Sequence, residues 1–160
     1  ELENLAIELG ASLRSRGLML TTAESCTGGW IAMAVTAVAG SSGWFERGFV
    51  TYHNAAKREM LGVDARTLEV EGAVSEATVR EMVRGALERS HADVALAVSG
   101  VAGPDGGTPG KPVGTVWFAW RTGDGAESTR AAHFYGGRES IREQAVVFAL
   151  SGVMDILDEK

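Results

Sequence analysis

Leu2, Leu5, Ala6, Leu9 and Leu13 return every three or four residues, and Gly17 follows them, so the chain opens with a helix ended at that glycine. The next apolar run, LMLTTA (18–23), is too short for a helix and reads as a buried strand. WIAMAVTAVA (30–39) is apolar nearly all round, which predicts a helix enclosed between layers. GSSG (40–43) then turns the chain into WFERGFVTYH (44–53), whose aromatic and β-branched residues predict a strand. Gly48 inside it predicts a bulge or bend. Asn54 is the expected cap of a short helix over AAKREML, stopped by Gly62.

The next expected helix starts at Ser75 and runs to about Ser90. DVALAVSG (93–100) is a continuous apolar run ending in glycine, the signature of a strand buried on both faces. VAGPDGGTPGKP (101–112) is a long turn-rich loop, and its length predicts a functional role. VGTVWFAW (113–120) and about 127–135 flank TGDG as a hairpin. A last helix covers about 138–157.

The order α-β-α-β-α-α-β-β-β-α predicts one domain over residues 1–160. It is a three-layer α/β/α sandwich on a mixed, mostly parallel sheet of about five strands. Ligands of open α/β sheets bind beyond the carboxyl ends of the strands. TTAESCTGG, YHNAAK and SGVAGPDGG all follow such ends, so one composite pocket is expected there.

Composition narrows the function. Apolar residues make up 45% and charged residues 22%, ordinary values for a folded chain of this length. The net charge of −6 speaks against a nucleic-acid binder, and no apolar run nears the roughly 20 residues that span a bilayer. A single cysteine and no visible secretory leader point to a reducing cytoplasm.

SCTGG sits at a strand-to-helix turn, where unpaired N–H groups favour an anion or oxyanion. Ser25 or Thr27 could simply cap that helix, or Ser25 could be a nucleophile. A nucleophile needs a base. His91 and His133 lie away from the expected pocket and no motif frames His53, which leaves Lys57, partly desolvated on its short helix, with Tyr52 five residues earlier to relay a proton. Lys57 could equally be a solvated lysine and Tyr52 a core aromatic. A cysteine scheme built on Glu24, Cys26 and Lys57 competes, although a lone cysteine at a buried helix start is more often a small core residue. Arg138 and Arg142, at i and i+4 on the last helix, could grip a phosphate or pair with Glu139 and Glu143. No Walker A or dinucleotide glycine pattern is present, and no histidine pair or Cys/His cluster has metal-ligand spacing.

Together TAESCTGG (22–29), GSSGWFERGFVTYHNAAK (40–57), GAVSE (72–76) and AVSGVAGPDGGTPGKPVGTVWFA (97–119) resemble the CinA C-terminal domain family, the nicotinamide-nucleotide amidohydrolases (PncC, NMN deamidases). These stretches cover about a third of the chain. The resemblance implies hydrolysis of the carboxamide of nicotinamide mononucleotide, without a cofactor, to nicotinate mononucleotide and ammonia. It implies Ser25 as nucleophile, Lys57 as base and Tyr52 as helper. Backbone N–H groups from Cys26 to Gly29 are then the expected oxyanion hole, worth about 3–4 kcal/mol per donor in studied cases. Glu24, Cys26, Thr27, Gly28, Gly29, Ser99 and Gly100 are expected around the substrate, with Arg138 and Arg142 at its phosphate. Some family members carry this domain behind a molybdopterin-binding-like one. None precedes Glu1 here, so the chain reads as a stand-alone deamidase or an excised domain. The alternatives are a nucleotide-sensing module without catalysis, linked to competence or DNA damage, and an amidase for another small amide. The aromatic segments WFERGF and WFAW predict a homodimer.

Overall fold

The structure, a computed structural model, describes residues 1–159; Lys160, the last residue of the expected 1–160 span, lies outside the described residues. The elements run α1 (Leu2–Arg16), β1 (Leu20–Glu24), α2 (Trp30–Thr36), β2 (Phe45–Val50), α3 (Asn54–Leu61), α4 (Ala65–Glu71), α5 (Glu76–Glu88), β3 (Val94–Gly100), β4 (Thr115–Thr122), β5 (Glu127–His133) and α6 (Arg138–Asp158). The strands form one sheet in the order β2-β1-β3-β4-β5. β1 pairs parallel with both β2 and β3, whereas β4 is antiparallel to β3 and β5 to β4. Four strands therefore point one way and β4 alone points back, the mixed sheet that the closing hairpin demanded.

Side-chain alternation splits the core in two. Leu20, Leu96 and Val98 face α1, α2 and α6, with Ile31, Trp44 and Val146 in the same cluster. Ala23, Ala95 and Ala97 face α3, α4 and α5, where Leu61, Val79 and Met82 pack. The alanines let α5 lie close to the sheet. Gly85 brings α5 close to α3 in turn: a Cβ there would collide with the Leu61 carbonyl.

Four local expectations are corrected. α2 is not enclosed: it ends at Thr36, only Ile31 and Val35 are buried, and Met33 is 61% exposed. Its all-apolar sequence hid a one-sided helix. The register shift in β2 falls between Phe45 and Arg47 rather than at Gly48. Gly48 serves close approach instead, since a Cβ would lie 2.8 Å from the Thr22 hydroxyl. The cap of α3 is His53, whose Nδ1 accepts from the Ala55 N–H at 3.2 Å, one residue before Asn54. α4 was not foreseen, because one buried residue, Leu68, leaves no periodicity to read. It is held by capping: Asp64 accepts from the Arg66 N–H, and Glu81 takes the Asp64 N–H and the Thr67 hydroxyl. No helix among the described residues is long and apolar enough to cross a membrane.

Candidate active site

β1 delivers Ser25 to the carboxyl edge of the sheet. The Ser25 N–H donates to the Val98 carbonyl at 3.1 Å, extending the β1–β3 ladder by one residue, and the chain then turns into α2. β2 ends beside it, and Thr51 N–H donates to the Glu24 carbonyl at 2.7 Å. α3 starts three residues later, so Lys57 projects back over Ser25 from its second turn.

Lys57 occupies a core position. It and Leu61, at i and i+4, are the buried residues of α3, and Lys57 is 1% exposed. Its ammonium group donates to the Ser25 Oγ at 2.8 Å, to the Thr51 carbonyl at 2.9 Å and to the Tyr52 carbonyl at 3.1 Å. Burial disfavours the charged amine and lowers its pKa to about 8. The two carbonyls can only accept. When the amine is neutral they hold its two N–H groups, and its lone pair is left facing the one partner able to donate, the Ser25 hydroxyl. That is the arrangement a general base requires.

Cys26 stands beside the pair. Burial, the largest influence on it, pushes its thiol up to about 12, so the thiolate is scarce near neutrality.

The expected anion cradle at the start of α2 is already filled. Glu24 is fully buried, and its carboxylate accepts from the Thr27 hydroxyl at 2.6 Å and from the N–H groups of Gly29, Ile31 and Ala32 at 3.2, 2.9 and 3.0 Å. A side chain from β1 thus caps α2 in place of a bound anion. The Gly28 N–H donates to the Ser25 carbonyl. Of the four amides expected as an oxyanion hole, those of Cys26 and Thr27 remain without a carbonyl or carboxylate partner among the described residues.

Ser25 and Lys57 open onto a cavity of about 190 Å³ lined also by Cys26, Tyr52, Asn54, Ala73, Val74, Ser99, Gly100, Ala102 and Arg138. Glu24 and Thr27 lie behind its wall. Gly28, Gly29 and Arg142 line a neighbouring cleft with Trp30, Met33 and Glu139. A larger groove of about 530 Å³, between Glu71 and Trp117, has no nucleophile beside a base. Asn54, Ala73, Val74 and Ala102 were not foreseen as lining residues, although each falls within the quoted motif stretches.

Tyr52 meets the pair through its main chain. Its carbonyl takes the Lys57 bond and, at 3.4 Å, the Ser25 hydroxyl. Its phenol, 59% exposed as a residue, instead accepts from Arg138 Nη2 at 2.9 Å at the cavity mouth. Arg138 Nη1 donates to the Gly103 carbonyl at 2.8 Å. Arg142 donates to the carbonyls of Cys26 and Thr27 at 3.0 Å each and lies over the Trp30 ring, so it braces the turn that carries Ser25. Neither arginine pairs with Glu139 or Glu143.

A profile of the CinA C-terminal domain matches residues 2–157. The chain belongs to the CinA C-terminal domain family. It is 58% identical over 149 residues, 93% of this chain and 91% of the relative, to a protein of Enterobacter agglomerans named nicotinamide-nucleotide amidohydrolase PncC. A protein of the same name from Escherichia coli K12 is 55% identical over 150 residues, covering 94% and 91% of the two chains. The crystal structure of a CinA superfamily protein from Klebsiella pneumoniae superposes with a TM-score of 0.96 at 44% identity, over 100% of this chain and 99% of that one.

Proposed function

We propose that this chain hydrolyses the carboxamide of nicotinamide mononucleotide, giving nicotinate mononucleotide and ammonia, with Ser25 as nucleophile and Lys57 as base. The observation that carries the reading is the 2.8 Å contact between a buried, pKa-lowered amine and a serine hydroxyl on the wall of a cavity. The names of the two bacterial relatives supply the substrate class.

Neutral Lys57 takes the Ser25 proton as Oγ bonds to the amide carbon. The oxyanion lies against the N–H group of Cys26, which, unlike Thr27, lines the cavity. As the C–N bond breaks, the Lys57 ammonium returns a proton to the nitrogen, which leaves as ammonia. Water, deprotonated by the same amine, then attacks the Ser25 ester and frees the acid. Tyr52 contributes its carbonyl, which orients the amine. The cavity is small for a nucleotide, so it takes the pyridine carboxamide, and the ribosyl phosphate lies toward the mouth. Arg138 is our choice for the phosphate, because its guanidinium has N–H groups to spare and forms no ion pair among the described residues.

Incubation with nicotinamide mononucleotide should release ammonia and the acid in equal amounts. A folded preparation that turns over none of it overturns the reading.

A further inference from the structure

The guanidinium of Arg142 lies outside the cavity, yet a chain of hydrogen bonds runs from it to the Cys26 amide. Arg142 Nη2 donates to the Thr27 carbonyl at 3.0 Å. The N–H of that same peptide unit belongs to Gly28 and donates to the Ser25 carbonyl at 3.0 Å. The N–H of the Ser25–Cys26 unit belongs in turn to Cys26, which lines the cavity. Two peptide units therefore connect a full positive charge to the oxyanion hole. Gly28 makes this turn with φ at 60°, in the left-handed region that a side chain resists, and a Cβ there would lie 3.1 Å from Arg142 Nη2.

A carbonyl that accepts a hydrogen bond makes the N–H of its own peptide a stronger donor. Chains of such bonds reinforce one another by about 10–30% per bond in condensed-phase estimates, and a charged donor starts the chain strongly. Arg142 is free to do this, because it forms no ion pair among the described residues although Glu139 lines the same cleft. Its Nε holds the Cys26 carbonyl at 3.0 Å, and the Trp30 ring centroid lies 5.5 Å from the guanidinium carbon.

Glu24 supplies the need for it. That carboxylate is fully buried against the same turn, so an oxyanion beside Ser25 adds a second negative charge to a site of low dielectric. The field of Arg142 reaches the cavity wall. Burial dominates the Cys26 thiol and raises it, but among the charges that act there Arg142, which lowers it, acts more strongly than either Glu24 or Lys57.

We propose that Arg142 is a positioning residue of the oxyanion hole: its charge, passed through the Thr27–Gly28 and Ser25–Cys26 peptide units, strengthens the Cys26 N–H as a donor to the oxyanion. This rests on the amidohydrolase reading.

The test is chemical rescue of Arg142→Ala. Removing a whole oxyanion donor costs about 10²–10³ in kcat in studied enzymes, and removing only its polarisation should cost less, about 10–100-fold, with KM for nicotinamide mononucleotide changed less than about threefold. Guanidinium chloride, far below denaturing concentration, should restore kcat severalfold over a sodium chloride control. Urea, equally planar and rich in N–H donors but uncharged, should restore none of it. Rescue by both or by neither, an unchanged kcat, or a loss confined to KM overturns this proposal and leaves the amidohydrolase reading standing. Should Arg142→Ala fail to fold, Arg142→Lys should keep a kcat at least about tenfold above that of Arg142→Met, and equal values overturn the proposal. Wild-type protein that hydrolyses no nicotinamide mononucleotide overturns both.

Discussion

The Lys57 amine lies 2.8 Å from the Ser25 hydroxyl, and its two other contacts are carbonyls of Thr51 and Tyr52, residues one step apart where β2 ends. Beyond Ser25, the amine is therefore aimed by backbone alone. Thr51 is itself tied to β1 by its N–H and hydroxyl bonds to the Glu24 carbonyl. Ser25 and Lys57 thus hang from one continuous stretch of ladder, and a change in either strand end moves both.

Ser25→Ala and Lys57→Met should each reduce kcat by about 10³-fold or more, with the circular dichroism spectrum of the fold retained. Cys26→Ala should keep kcat/KM within a few-fold of wild type, since its thiol is held protonated by burial. An active Ser25→Ala beside an inactive Cys26→Ala would reverse the assignment of the nucleophile.

Tyr52→Phe removes the phenol but leaves the carbonyl that orients Lys57. We expect kcat to fall at least about 100-fold less than in Lys57→Met. The larger change should appear in KM for the nucleotide, because Arg138 loses the acceptor that fixes its Nη2. Steady-state kinetics on both variants checks this. A Tyr52→Phe variant as inactive as Lys57→Met would restore the phenol to the proton path.

The layers, the mixed sheet and most of the element order along the chain were readable from periodicity, because each long element shows its own repeat, and the gathering of three loops at one sheet edge followed from that fold. So was the start of α5 at about Ser75, which the structure makes its cap. What escaped depended on contacts between distant segments. Glu24 reads as a ligand-binding acid because it adjoins a glycine-rich turn, yet it folds back to cap the helix that the turn begins. The phenol of Tyr52 is five residues from Lys57, but it lies past the end of β2 and faces outward, and only the position of Arg138, 86 residues away, decides its partner. The sequence left Lys57 either partly desolvated by its apolar neighbours or solvated; its burial is decided by its contacts with Ser25, Thr51 and Tyr52, which lie outside its own helix.

Gly85→Ala tests how far the site depends on packing behind it. An added methyl on α5 would strike the carbonyl of Leu61, which also accepts from Arg89 at 2.8 Å and closes the helix that carries Lys57. Backbone cannot step aside as a side chain can. We expect a loss of about 1–3 kcal/mol in chemical denaturation, together with a fall in kcat although the residue touches no substrate. Unchanged stability would mean that α3 shifts freely, and an unchanged kcat that Lys57 does not follow it.

The pH profile tests the base most directly. With the Lys57 pKa lowered to about 8, roughly a tenth of the amine is neutral at pH 7. Only that fraction can take the Ser25 proton, so kcat/KM should climb about tenfold per unit below pH 8 and level off above it. The same shift makes a stability prediction of definite sign. The folded pKa is below the unfolded one, so below pH 8 folding bears the whole cost of burying the charged amine, and that cost is relieved as pH rises from about 8 toward the ordinary lysine value. The stability gap between wild type and Lys57→Met should therefore move in favour of wild type between pH 7 and 10. A rate profile flat through pH 8, or one whose midpoint lies at the ordinary lysine value, would remove Lys57 from the role of base.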